Sequence, residues 1–276
     1  MKRSCSGIDY YLMDPTGNIT ILVVSPVPVS DQPDIADMLM KYEPECEQVG
    51  FISDSDGSDI RLRMAGGEFC GNATMSAAAL FCCRAGSAAG KETSVTVEAS
   101  GCDVPISVDI TRTEDTEGRY IFRGFVNMPE HKGISRHELT YKDRVYSLPV
   151  VDMGGILHIV VTEPLALSDE ETEEAIKKWC QDLGTEALGI MQIYTVSADT
   201  MDLRPLVYVP DAGTCYWESS CASGTAAAGI YLADKGTIIT QLHFREPAGE
   251  LTITEEKGHM VLGGTVEIMQ VQKVGL

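Results

Sequence analysis

The sequence predicts an α+β fold of two pseudo-symmetric lobes, and three observations carry that expectation. The stretch CGNATMSAAALF, Cys70 to Phe81, returns in the second half as CASGTAAAGIYL, Cys221 to Leu232: a cysteine, small residues, a threonine at Thr74 and Thr225, then an alanine-rich apolar run. The 276 residues exceed one typical core and suit two domains of about 100 to 150 residues each, so an internal duplication accounts for the size. Element order also matches between the halves: a glycine turn (Gly17; Gly155), an amphipathic helix (from Asp31; from Ser168), strands, then the cysteine-led helix. A pseudo-two-fold axis relating the halves sets the two cysteine loops face to face.

Composition narrows the class. With 44% apolar and 22% charged residues a packed core is expected and overall disorder is not. The 41 acidic against 21 basic residues give a net charge of -20, which excludes nucleic acid and an anionic membrane surface as partners. A small anion stays compatible, because a pocket of backbone N–H groups makes its own potential. MKRSCSGIDYYLMD has no apolar run behind its basic residues, and no stretch of about 18 apolar residues follows, so a cytoplasmic protein is expected. There the nine cysteines read as free thiols, and their odd number agrees. Cys82, Cys83 and Cys180 read as core filling, whereas Cys5, Cys46, Cys102 and Cys215 carry no assigned role. With no CxxC pair and scattered histidines, no metal site is expected.

In chain order, strand signals at Ile8 to Leu12 and Ile19 to Val24 flank DPTGN, a turn on proline and glycine logic, with Asn18 just past it. Ile35, Leu39 and Tyr42 recur at helical spacing. Val49 to Ile52 and Ile60 to Met64 read as strands around SDSDGSD. A calcium loop fails there, because placing Gly57 sixth puts Arg63 where the bidentate glutamate belongs, leaving a solvated turn. After the first cysteine helix, Ser94 to Val97, Asp103 to Ile110 and Arg119 to Asn127 read as strands, and the pattern loosens near Lys132 to Arg136. Val150 with Val151, and Ile159 to Val161, read as strands around Met153-Gly154-Gly155. Ser168 and Glu171 form a capping box, and Ala175, Ile176, Trp179 and Leu183 form a helical stripe that Gly184 ends. Strands follow at Gln192 to Val196, Leu203 to Val209, Thr237 to Arg245, Leu251 to Thr254 and Thr265 to Val271.

A thiol at a helix start is the feature with chemical content. The unpaired N–H groups and partial positive charge there favour thiolate over thiol and attract a carboxylate. Two such thiols on opposite sides of one carbon suit inversion next to a carboxylate. One, as thiolate, removes the α-proton; the other, as thiol, delivers a proton to the opposite face. Helix starts at Gly71 to Asn72 and at Ala222 to Gly224 supply donors where negative charge develops. An ordinary thiol pKa of about 8.5 leaves both states accessible near neutrality, so no cofactor is required. No GxGxxG after a strand and no Walker loop is present.

At these residues the chain resembles a known family. GGEFCGNAT, CASGT before an alanine-rich helix, PTGN near the start and MGG ahead of a histidine resemble the diaminopimelate epimerases, cofactor-independent amino-acid racemases, over nearly the whole chain. The resemblance implies that each lobe is a curled, mostly antiparallel sheet or barrel around a central helix, with the active site in the cleft between lobes. The lobes are expected at residues 1–133 and 134–263, with a final strand over about 264–276 crossing back to the first. It also implies Cys70 and Cys221 as acid and base, backbone of Gly71, Asn72, Ser223 and Gly224 around the α-carboxylate, Asn18 as a substrate contact, and a homodimer.

Departures bear on the substrate. Diaminopimelate epimerases carry ERGxGET before the second cysteine, and its arginine helps hold a distal carboxylate; this chain has CYWESS, without arginine. MGNPH becomes MGGILH. A pocket lacking that arginine leaves a second carboxylate unpaired and should reject it. The branch with such changes resembles the histidine racemases that supply D-histidine for opine-type metallophores, with openings similar to DPTGNITILV. Glu218, Trp217, Tyr216 and His158 are then candidates to line a side-chain pocket. Racemisation of diaminopimelate or another amino acid is the alternative substrate reading, with proline racemase-like and phenazine-isomerase relatives as neighbours. A thiol redox or metal-binding protein is the alternative of another class; it needs no matched pair of helix-start thiols.

Overall fold

The computed structural model describes residues 7–113, 119–211 and 213–274; Cys5 and the last two positions of the expected final strand lie outside the described residues. The chain divides into two compact units, Met1–Val126 with Gly264–Leu276, and Asn127–Gly263.

In the first unit the strands are β1 (Ile8–Pro15), β2 (Thr20–Val23), β3 (Gln48–Ser53), β4 (Ile60–Met64), β5 (Glu92–Ala99), β6 (Ile106–Arg112), β7 (Tyr120–Asn127) and the later part of β16 (His259–Val274). They pair in the order β1-β2-β3-β4-β5-β6-β7-β16, and β16 pairs again with β1, closing a mixed eight-stranded barrel. Two neighbouring pairs are parallel, β2 with β3 and β4 with β5. Parallel neighbours need a crossover, and helices α1 (Gln32–Tyr42) and α2 (Gly71–Arg84) supply them.

Helix α2 touches β1, β2, β4, β5 and β6, and every residue from Gly71 to Leu80 is buried. A helix enclosed in this way must be apolar all round and slim, which Ala73, Ala77, Ala78 and Ala79 achieve. The β1–β2 turn holds Thr16 and Gly17 at φ 54° and 87°, with Asn18 N–H donating to Pro15 O at 3.2 Å. Two left-handed residues in succession make the hairpin turn whose twist matches its strands, and it delivers Asn18 to the strand end.

The second unit repeats this plan. Its strands are the first part of β16 with β8 (Gly133–Tyr141), β9 (Arg144–Asp152), β10 (Leu157–Val161), β11 (Leu188–Thr195), β12 (Thr200–Val209), β13 (Thr214–Trp217), β14 (Leu242–Glu246) and β15 (Gly249–Glu256). The order runs β16-β15-β14-β12-β11-β10-β9-β8, with β13 beside β12. Again two pairs are parallel, β10 with β11 across helix α3 (Asp169–Leu183) and β12 with β14 across helix α4 (Ala222–Asp234). Helix α3 packs on β8, β11 and β12 through Ala175, Ile176, Trp179 and Cys180, and α4 touches β9, β10, β11 and β15. The Ser168–Glu171 capping box is formed, and Gly184 closes α3 at φ 62°.

The loosened stretch and several strand boundaries need correction. Lys132 to Arg136 belongs to a long hairpin, because β8 pairs with β9 from Gly133 to Tyr141. The first half of β8 is exposed or only half-buried, and buried positions alternate with exposed ones only from Glu138 to Tyr141, through Leu139 and Tyr141, so the start of the strand carries no alternation to announce it. β14 starts at Leu242 rather than Thr237, and β6 at Ile106, after Pro105, rather than Asp103. Among the described residues no helix is long and apolar enough to cross a membrane.

Candidate active site

In the first unit Cys70 is the N-cap of α2, extended at φ -133° and ψ 115°, with Sγ accepting the Ala73 N–H at 3.4 Å. Thr74 locks the turn, its Oγ1 donating to Cys70 O at 2.7 Å. The thiol donates to Gln48 Oε1 at 3.0 Å. Gln48 in turn donates through Nε2 to Thr20 Oγ1 at 2.8 Å and to Asn18 Oδ1. Asn18 is 3% exposed; its Nδ2 reaches Glu47 Oε2 at 2.5 Å, and its Oδ1 also accepts Asn72 Nδ2 at 3.3 Å. Asn18, Cys70 and Asn72 thus belong to one hydrogen-bonded network through Gln48, with Asn18 and Asn72 buried and Cys70 half-buried. Gly71 and Asn72 occupy the first two helical positions, whose N–H groups have no carbonyl within the helix.

In the second unit Cys221 is the N-cap of α4 with almost the same backbone, φ -131° and ψ 99°. Thr225 Oγ1 lies 2.8 Å from Cys221 O, as Thr74 does at the first helix. The two cysteine loops are therefore one local structure used twice. Their surroundings differ. Glu246 accepts the Cys221 N–H at 2.6 Å, and Ser223 Oγ lies 3.8 Å from Cys221 Sγ. Burial, then the charges of Glu218 and Glu246, push the Cys221 thiol well above its ordinary value, while the Gly224 N–H pulls it back toward thiolate.

His158 stands on β10 opposite Gly189 of β11, fully buried, with Nε2 2.9 Å from Ser223 Oγ. Its Nδ1 finds no partner among the described residues. A bare buried lone pair costs less than a bare buried N–H, which puts the proton on Nε2 as donor to Ser223. The serine hydroxyl hydrogen is then available to Cys221 Sγ. Burial pushes the imidazole down to about 3, so it stays neutral.

Of the expected site residues, Asn18, Cys70, Gly71 and Asn72 gather in the first unit, and His158, Glu218, Cys221, Ala222, Ser223 and Gly224 in the second. Trp217 and Tyr216 do not join them. Trp217 donates to Glu173 Oε1 at 3.0 Å and stacks under Arg204 at 3.8 Å, which ties it to α3, and Tyr216 is half exposed at 50%. Gln48 and Glu246 went unread in the sequence; neither sits in a motif, and each meets its cysteine only through the folded sheet.

A barrel wrapped on a cysteine-led helix places the chain in the racemase and epimerase fold. A solved hydroxyproline epimerase from Agrobacterium vitis, holding trans-4-hydroxy-L-proline, superposes with a TM-score of 0.70 over 100% of this chain and 93% of its own, at 13% identity. The chain belongs to the histidine racemase CntK family, whose N-terminal domain matches residues 7–272. It is 32% identical to a histidine racemase of Fusobacterium nucleatum over 99% of this chain and 98% of that protein. A histidine racemase of Staphylococcus aureus is 30% identical over 92% of this chain and 90% of its own length.

Proposed function

We propose that the protein interconverts L- and D-histidine without an added cofactor, with Cys70 and Cys221 as a thiol and thiolate acting on opposite faces of the α-carbon. The observation that supports it best is the repeated helix start, a cysteine N-cap with the same backbone and the same threonine lock in both units. In one direction a thiolate forms an S–H bond with the α-proton, and the C–H electron pair remains on the α-carbon, spread into the carboxylate. The other S–H then breaks as its proton reaches the opposite face, leaving the second sulfur as thiolate. Reversal exchanges the roles. Helix-start N–H groups at Gly71, Asn72, Ala222 and Ser223 stabilise the carboxylate as it gathers charge, and Asn18 orients it.

Histidine as substrate rests on family membership and on the arginine-free segment Cys215 to Cys221, which offers a distal carboxylate no cation. Kinship with the diaminopimelate epimerases, inferred from GGEFCGNAT and PTGN, belongs to the same proposal. Incubation with L-histidine, L-proline, L-alanine and diaminopimelate in deuterated water, followed by proton NMR and chiral chromatography, tests it. Loss of the α-proton signal and a D-form are expected with histidine. Exchange with diaminopimelate and not histidine reverses the substrate assignment, and no exchange with any of them favours a thiol redox role.

A further inference from the structure

The catalytic scheme leaves one buried acid unused. Glu246 ends β14, is 8% exposed, and turns back onto the start of α4. Its Oε2 takes the Cys221 N–H at 2.6 Å, and its Oε1 meets Thr225 Oγ1, a hydroxyl shared with Cys221 O at 2.8 Å. The cysteine amide is therefore tied directly to this carboxylate, while the single Thr225 hydroxyl hydrogen goes either to the carboxylate or to Cys221 O. At α2 the corresponding anchor is the sulfur itself, which accepts the Ala73 N–H.

We propose that Glu246 is the positioning residue of Cys221: it holds the cysteine at the helix start, and its fixed negative charge keeps Cys221 as the protonated member of the thiol pair at rest. The groups facing this sulfur are Glu218 from the loop ahead of α4, Glu246 from β14 and, through Ser223, the neutral imidazole of His158 from β10. Two carboxylates and no cation in that set disfavour a third negative charge. Free L- and D-forms are equally stable, so kcat/KM stays equal in both directions; what Glu246 controls is the pH range over which the thiol and thiolate can exchange roles. The catalytic meaning rests on the two-thiol reading above.

Alkylation of the full chain by iodoacetamide across pH, with the Cys221 peptide quantified by mass spectrometry, tests this without using activity. Wild-type protein should show a midpoint above the ordinary thiol value of about 8.5. Glu246→Gln keeps the shape and removes the charge, and should lower the midpoint by about one pH unit, or roughly tenfold more thiolate below it. Glu246→Asp keeps the charge and should stay near wild type. Equal midpoints in wild type and Glu246→Gln, or Gln and Asp shifting together, would overturn the assignment. Thr225→Val serves if Glu246→Gln does not fold: it removes a tether and leaves the charge, so turnover should slow several-fold with the midpoint unmoved, and a fall in its midpoint overturns the charge role. The predicted midpoints in a protein that does not racemise histidine would contradict only the function, whereas an active racemase with unmoved midpoints would contradict only Glu246.

Discussion

Cys70 Sγ donates to Gln48 Oε1 at 3.0 Å, and through the same amide the thiol is joined to Asn18. A residue that receives the thiol proton on one side and fixes a substrate-contact candidate on the other should influence turnover more than folding. Gln48→Leu removes both links and is expected to slow kcat about tenfold, the worth of one or two net hydrogen bonds. Gln48→Glu sets a carboxylate beside the sulfur, disfavours thiolate, and should move the rising limb of the pH–rate profile to higher pH. Histidine racemisation measured across pH for both variants decides it; profiles identical to wild type leave Gln48 without a role.

Gly189 and Gly224 separate stability from activity. A Cβ on Gly189 falls 2.2 Å from Nδ1 of the fully buried His158 ring, so Gly189→Ala should cost about 1–3 kcal/mol in denaturant unfolding. A Cβ on Gly224 meets the pliable Met191 Sδ at 2.0 Å and Cys221 Sγ at 3.1 Å. Gly224→Ala should therefore displace the sulfur and lower kcat more than about tenfold, because small misplacements of reacting groups are costly.

The neutral imidazole of His158 makes stability depend on pH. Its folded value of about 3 lies below the unfolded value near 6.5, so the unfolded chain binds the extra proton between them. Its contribution is complete above about pH 6.5 and is lost as pH falls toward 3, amounting to about 2 kcal/mol between pH 7 and pH 5. Urea unfolding at the two pH values should show that loss in wild type and a smaller one in His158→Gln. Equal losses would mean that other groups set the slope.

What could be read from the sequence was whatever is written locally. The box Ser168–Glu171 and the stop at Gly184 predicted α3 because caps act within a few residues. The two cysteine loops announced themselves because a helix start is likewise local, and SDSDGSD proved a turn in which Asp59 Oδ2 takes the Thr96 N–H at 2.7 Å. Strand β8 stayed hidden because its first half buries no side chain, and the alternation that Leu139 and Tyr141 supply is confined to its last residues. Glu246 meets Cys221 across 25 positions of chain, and Gln48 meets Cys70 across 22, contacts that only sheet register creates. Trp217 was a candidate to line a side-chain pocket on the family resemblance, and its indole N–H instead bonds Glu173 of α3, a partner 44 positions away that no local pattern announces.

The central claim is that two different sulfurs handle the two faces of the carbon, and early isotope distribution tests it most directly. L-Histidine is incubated with the protein in deuterated water, and both enantiomers are separated by chiral chromatography and weighed by mass spectrometry before a tenth of the substrate has turned over. With Cys70 and Cys221 as separate acid and base, the D-histidine formed carries one deuterium at the α-carbon, the recovered L-histidine carries almost none, and either Cys70→Ala or Cys221→Ala stops D-histidine formation while Cys82→Ala does not. Deuterium entering recovered L-histidine as fast as D-histidine, or D-histidine formed at the wild-type rate by Cys221→Ala, would contradict it.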